Sequence, residues 1–403
     1  MRNKKLIIIW PTVFREFDYY RLEIAHILKE IDVEIHEMVK IFNLDIEKVY
    51  HTRCNRKIIK RFKNFKIWKN YMEKNLYPSK TVVYTFFYCD TYFKFLTINF
   101  LNSKGITLIK HSAGGGPRKK INIDLMLHKL INDFSLEKFF FIFKRMFFLK
   151  LGNFLFKYDF IIAMTSLDYS RLNKNKSYLE KPIIIKGNSI DYSNALIYKP
   201  TFMDKKYKAS SYSLLLDTPG PRFIGDELLY KTKNYHTAEK WYPQINKFFY
   251  FIEKNFQTKI KIAPHPKTKP PKFPKDFNYR EVLFNRLAFS VKNAKIIISK
   301  VPGSTALLYA ALYKKPIIMV FSNETKAHKS PMEDFHIICR ELRAKPINID
   351  ENYTKKIISE RLKINEKVYK RYVKKFGTAR NDKKPNSEII INLLKKIFKE
   401  DRK

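Results

Sequence analysis

The segment Lys295–Phe321, KIIISKVPGSTALLYAALYKKPIIMVF, decides the fold. It reads strand, loop, helix, strand. KIIIS and PIIMVF are continuous apolar runs of the kind that parallel strands bury on both faces. Between them TALLYAALY carries an apolar face of Ala306, Leu307, Ala310 and Ala311, opened by Gly303-Ser304-Thr305. Just upstream, IKIAPHPKTKPPKF (Ile260–Phe273) ends another short apolar run on His265-Pro266.

Working outward, the alternation continues in both directions. YSLLLD, an amphipathic helix in AEKWYPQINKFFYFIEKNF, KIKIAP and the helical NRLAFSVKN precede the segment. In the first of these helices Trp241, Ile245, Phe248, Phe249, Ile252 and Phe256 share one face. The first half shows the same rhythm: KLIIIW, then the helical REFDYYRLEIAHILKE, then VEIHEM, TVVYTFFYC, helical YFKFLTINFLNSKG, ITLIKHS, DFIIAMT and KPIIIKGNS. Strands alternating with helices predict an α/β protein with parallel sheets covered on both faces. The 403 residues have room for two such domains. YKPTFMDKKYKASS (Tyr198–Ser211) loses periodicity and gains charge, and is the expected linker. The expected organisation is a Rossmann-like lobe over 1–200 with a helical insert at 117–158. A second Rossmann-like lobe covers 211–350, and a lysine-rich helical tail covers 351–403. Ligands of such sheets bind in the crevice at the carboxyl ends of the strands. His265 and Ser304 both follow strands of the second lobe and are expected to border a cleft between the lobes.

Composition narrows the function. The chain is 45% hydrophobic and 15% aromatic, far from a disordered composition. Its formal charge of +42 invites a nucleic-acid reading. Yet the lysines are dispersed, outnumber the arginines and come with abundant Asn, Ile, Phe and Tyr, so no nucleic-acid partner is expected. An anionic membrane surface or an anionic substrate fits the charge better. Cys54, Cys89 and Cys339 are too few and too scattered for a disulfide framework or a zinc site. Leu6–Trp10 is too short for a signal peptide, and no window reaches the roughly 20 apolar residues that span a bilayer. The expected location is cytoplasmic, at the inner face of the plasma membrane where LEKFFFIFKRMFFLKLGNFLFK (Leu136–Lys157) meets lipid. Lys144 and Arg145 interrupt that segment, which reads equally as an interfacial segment or as a helix pair packed on the first lobe. Three glycines in HSAGGGPRKK (His111–Lys120) could admit a ligand close to backbone or form a plain turn. They lack the spacing of a P-loop.

Unpaired N–H groups at a helix start suit a phosphate, and Ser304 and Thr305 could bond an anion there or simply cap the helix. An imidazole at His265 could stabilise a departing phosphate oxygen or be tied to a strand end. APHPKT followed by SKVPGSTALLYAALYKKPIIMV resembles the paired His-Pro and Ser-Ser/Thr motifs of bacterial sialyltransferase-like and capsule glycosyltransferases of the GT-B fold. The likeness extends to KWYPQINKFFYFIEKNF and PTVFREFDYYRLEIA. It is strongest over Ser211–Phe321, looser over the first 115 residues, and does not cover Pro117–Tyr158 or the tail. The resemblance implies a metal-independent inverting glycosyltransferase of surface-polysaccharide synthesis. It would need no cofactor and would move a sugar from a nucleotide donor, CMP-linked by preference, to a glycan or lipid-linked glycan. His265 would support departure of the nucleotide phosphate. Gly303, Ser304 and Thr305 would hold that phosphate, with Pro266 and Lys267 beside it.

Two departures stand out. The acidic pair followed by glycine that supplies the general base in those enzymes is missing, so Asp217 (ending SLLLD) and Asp90 (after TVVYTFFYC) are the candidates, each also readable as a turn aspartate. The ribose-binding glutamate of many UDP-sugar enzymes is missing from ALLYAALYKK. A nucleotide-sugar epimerase of the same architecture, and a non-enzymatic basic protein binding membrane or nucleic acid, are the alternatives.

Overall fold

A computed structural model describes residues 4–42, 47, 53–112, 117, 136–175, 178, 180–198, 212–223, 235–266, 268, 271–284 and 287–400. The chain divides into two units. One holds Met1–Gly114, Lys120–Ile190 and Thr378–Lys403, and the other holds Gly115–Lys119 and Asp191–Gly377.

The first unit is built on β1 (Lys5–Trp10), β2 (Asp32–Glu37), β3 (Ile59–Arg61), β4 (Thr81–Thr85), β5 (Thr107–His111), β6 (Phe160–Ala163) and β7 (Ile183–Lys186). They pair in the order β3-β2-β1-β4-β5-β6-β7, every pair parallel. Successive side chains of a strand point to opposite faces, so β1 feeds two cores at once. Leu6 and Ile8 enter one and Ile7 and Ile9 the other. That two-sided burial is why the strand reads as an unbroken apolar run.

The second unit is built on β8 (Tyr212–Leu216), β9 (Lys259–Ala263), β10 (Ala294–Lys300), β11 (Ile317–Phe321) and β12 (Ile347–Asn348), all parallel in the order β12-β11-β10-β8-β9. β9 lies on one side of β8 and β10 on the other, so the direction of winding reverses at β8.

Seven helices cover these sheets or flank the candidate residues: α1 (Tyr92–Ser103), α2 (Leu136–Leu155), α3 (Ala238–Phe256), α4 (Leu307–Leu312), α5 (Lys329–Leu342), α6 (Glu366–Phe376) and α7 (Asn386–Glu400). The expected face of α3 is the buried one. Trp241, Ile245, Phe248, Phe249 and Ile252 pack on Leu215, Ile260 and Ile262 of the sheet, and Phe256 is partly buried beside them.

The division falls near Ile190, before the expected linker, of which residues 199–211 lie outside the described residues. Tyr192, Ala195 and Tyr198 already pack on the core of the second unit, so the loss of periodicity after Tyr198 marks the end of a helix that belongs there. The tail is likewise divided between the two cores. Tyr369, Tyr372 and Phe376 of α6 join the core of the second unit. Ile390, Leu393, Leu394, Ile397 and Phe398 of α7 join Leu6 and Ile8 in the first.

The insert is a single helix, α2, over its described part; residues 118–135 lie outside the described residues. One side of α2 faces its unit. A Cβ on Gly152 would come within 2.7 Å of Cys89 Cβ, so only glycine lets the helix lie this close. The Phe148 ring lies tilted beside those of Tyr92 and Phe95, and Arg145 bonds Asp90 at 2.6 Å. The three cysteines are free and buried.

Docking of α7 gives a direct test. Leu394 is fully buried, so Leu394→Ala should cost about 2–5 kcal/mol of unfolding free energy in urea. Its neighbour Lys395 makes only a surface ion pair with Glu30, and Lys395→Ala should change stability by less than about 1 kcal/mol. Equal effects would mean that α7 is not part of the core.

Candidate functional site

Three of the expected site segments leave the carboxyl edge of one sheet. Asp217 follows β8, His265 follows β9, and Gly303-Ser304-Thr305 follows β10. With strands about 4.8 Å apart, the outer two segments are separated by about 10 Å, with Asp217 between them. This is the edge where the winding reverses, and where open α/β sheets bind their ligands.

The loop after β10 has a conformation that its sequence dictates. Gly303 has φ +97, where side chains are strained, and a Cβ there would meet Ile338 Cδ1 of α5 at 2.5 Å. Gly303 N–H donates to Lys300 O at 2.8 Å, which closes the turn. Ser304 Oγ accepts from Ala306 N–H at 3.2 Å, a local turn ahead of the helix, and α4 itself, with Ala306 at its N-cap, has no side-chain cap bond. The first residue of α4 is Leu307, later than the pattern predicts, and Thr305 is exposed before it. After β9, His265 is partly buried. Its carbonyl accepts from both Thr268 N–H and Thr268 Oγ1 at 2.8 Å, which turns the chain sharply past Pro266. Lys267 lies outside the described residues.

Asp217 does not stand alone. The Nζ of Lys300, the last residue of β10, is 3.0 Å from Asp217 Oδ1 and is 1% exposed. The same ammonium donates to Gly220 O at 3.1 Å, lies 3.4 Å from His236 Nε2, and sits 4.9 Å from the Trp241 ring. Burial pushes the Asp217 carboxyl up and the Lys300 amine down, and their mutual attraction opposes both shifts. His236 is held neutral, its pKa lowered to about 2 by burial and then by Lys300. Thr218 Oγ1 donates to Val301 O at 3.2 Å, a second tie between the loops after β8 and β10. Sequence reasoning passed over Lys300 and His236. A lysine closing an apolar strand was the signal for the first; nothing in the pattern marks the second.

Asp90 belongs to the first unit, in the loop after β4. It is bonded by Lys94 Nζ at 2.5 Å and by Arg145 Nη2 at 2.6 Å, so each carboxylate oxygen has a cation. It lines a pocket of about 560 Å³ with Phe42, Tyr92, Phe93, Phe141 and Phe148. On the same sheet His111 ends β5, its Nδ1 bonded to the Tyr84 hydroxyl. Its Nε2 has no hydrogen-bond partner among the described residues, and burial lowers its pKa to about 3. The triple glycine lies outside the described residues. Among the described residues no group of three or more His, Cys, Asp or Glu is placed to hold a metal ion.

No protein-family model matches the chain, and no curated protein sequence matches it. Solved structures do. The S. aureus MnaA–UDP co-structure is similar at 14% identity over 97% of this chain and 96% of that chain, with a TM-score of 0.50. CalG4, the calicheamicin glycosyltransferase, is similar at 10% identity over 99% of each chain, TM-score 0.51. A structure assigned as a UDP-N-acetylglucosamine 2-epimerase, from Listeria monocytogenes, is similar at 11% identity over 99% of this chain and 98% of that one, TM-score 0.51. These likenesses show the fold. The chain has the two parallel-sheet α/β units of the GT-B type, a fold found in glycosyltransferases and in epimerases alike.

The buried charges can be tested in two ways. Asp217→Asn should leave the Lys300 ammonium without its counter-ion and cost about 3–5 kcal/mol, while Asp217→Asn with Lys300→Met should recover most of that. A double variant no more stable than the single one would show that the pair is not coupled. His111 and His236 have folded-state pKa values below the unfolded value, so the unfolded chain takes up protons first as pH falls. Stability present above about pH 6.5 is therefore lost below it, by roughly 2 kcal/mol per histidine at pH 5. Urea unfolding of His236→Gln should show a pH 7 to pH 5 decrease smaller by that amount.

Proposed function

We propose that the protein is a nucleotide-sugar-dependent glycosyltransferase, metal-independent and inverting, that extends a surface polysaccharide from a glycan or lipid-linked glycan acceptor. The observation that carries this reading is the common edge. His265, Asp217 and Gly303-Ser304-Thr305 leave three neighbouring parallel strands at the point where the winding reverses.

In this reading Gly303, Ser304 and Thr305 hold the donor phosphate, with Pro266 and Lys267 flanking it. Gly303 is the residue that lets backbone turn there. His265 neutralises charge as it develops on the departing phosphate. Asp217 is the preferred general base, because it stands on the same edge and burial raises its carboxyl pKa against the opposing pull of Lys300, which makes it the stronger base. Asp90, clamped by Lys94 and Arg145, is the second candidate. The motif resemblance supports a CMP-linked acidic sugar as donor, as does the lack of an acid in α4. The epimerase reading is favoured by one observation, the whole-chain likeness to a structure assigned as a UDP-N-acetylglucosamine 2-epimerase.

A thermal-shift screen of CMP, CDP, UDP and GDP tests the site. A ligand at about 100 times its dissociation constant adds roughly 2.7 kcal/mol. Ser304→Ala with Thr305→Ala should weaken nucleotide binding, and His265→Ala should lower turnover by about 10²–10⁴-fold with binding nearly intact. Free nucleotide released only when acceptor is present separates transfer from epimerisation. Unchanged turnover in His265→Ala would remove the proposed mechanism. Salt-sensitive binding to polyanions with no nucleotide response would support the non-enzymatic alternative.

A further inference from the structure

Helix α2 is amphipathic in an unusual sense: its outward face is the apolar one. At about 100° per residue, Phe139, Phe140, Phe143, Met146, Phe147 and Phe154 fall within an arc of about 120°. All six are exposed, and Phe140, Phe143, Phe147 and Phe154 are each more than half exposed. The arc runs about 22 Å along the helix. Its opposite side is occupied, by Arg145 on Asp90, Phe148 near Tyr92, and Gly152 under Cys89. Nothing among the described residues covers the rings.

The charges beside the rings select the partner. Between Leu136 and Leu155 the sequence has one acidic residue, Glu137, against Lys138, Lys144, Arg145 and Lys150. Lys150 lies within the apolar arc and Lys144 at its border. Both are exposed, and neither is in an ion pair among the described residues. At a protein–protein interface a lysine in the middle of the patch would lose its water, which is why lysine is depleted there. A second copy of a chain with a charge of +42 would add like charge to that cost. On a lipid surface the stem of the lysine lies along the rings and its ammonium reaches the headgroups. Among the described residues no helix is long and apolar enough to cross a membrane.

We propose that α2 docks the protein flat on an anionic lipid membrane, with Phe140, Phe143 and Phe147 in the acyl boundary and Lys144 and Lys150 at the phosphates. This rests on the helix alone and is independent of the enzymatic reading.

Sedimentation with phosphatidylglycerol–phosphatidylcholine vesicles tests it on the full chain. The wild type should co-sediment, and Phe140→Ser, Phe143→Ser and Phe147→Ser together should weaken partitioning by about tenfold or more at unchanged circular dichroism. Lys144→Gln and Lys150→Gln should each cost roughly fivefold on anionic vesicles at low salt. Should the triple serine variant fail to fold, Phe147→Trp reports instead: the indole emission of this variant should shift to the blue with vesicles and be quenched by acyl-brominated lipid. A wild type that stays in the supernatant, or a Phe147→Trp emission indifferent to vesicles, would overturn the proposal. So would a dimer in sedimentation velocity that Phe143→Ser and Phe147→Ser dissociate.

Discussion

The ammonium of Lys300 is the group on which the candidate site depends. It sits at the end of the central strand β10, fully buried, and it draws in the carboxylate of Asp217, the carbonyl of Gly220 and the imidazole of His236. A charge in that position cannot be left unpaired, because solvation by water has been removed and only these groups replace it. The loop after β8 is therefore held against the loop after β10, and Thr218 adds a bond in the same place. Loops carry chemistry only when something rigid positions them. Here the rigid element is a sheet and the fastener is an ion pair.

Each sheet is itself set by burial on both faces. Alternate residues of β1 supply two cores, and β8 does the same, with Leu214 and Leu216 in one core and Leu215 in another. A parallel sheet needs a covering layer on each side. In the first unit part of that layer comes from the far end of the chain, since α7 places Ile390, Leu393 and Leu394 against Leu6 and Ile8. The first unit is thus completed only by the last helix. In the second, α3 covers one face, while α4, α5 and α6 contribute to the other.

The charge of +42 has different consequences in different places. Some cations are absorbed into the fold: Arg145 and Lys94 neutralise Asp90, and Lys110 lies buried between the rings of Tyr88 and Tyr158, its pKa lowered to about 8 by that burial. Others stay in water beside exposed aromatic rings, as on α2. The same residue type stabilises a buried loop, fills a core or borders an apolar surface according to what its stem and its head touch.

Much of this was legible in the sequence, because the strands and helices follow from local periodicity. KIIIS and YSLLL are buried strands as their apolar runs imply, KIKIA is an edge strand that alternates lysine with buried isoleucine, and the face of α3 is the one its spacing marks. The site segments were visible too, since Asp217, His265 and Gly303 come directly after strands. What the sequence could not express were relations between distant residues. Strand order put β8 between β9 and β10, which placed Asp217 between His265 and Ser304. The partnership of Lys300 with Asp217 depends on two strands far apart in the chain lying side by side. The outward turn of the α2 rings was undecidable from periodicity alone, because a face dense in phenylalanine suits a core and a surface equally. Only packing decided it: Gly152 and Arg145 fixed the other side of the helix to the unit, and the phenylalanines were left facing out.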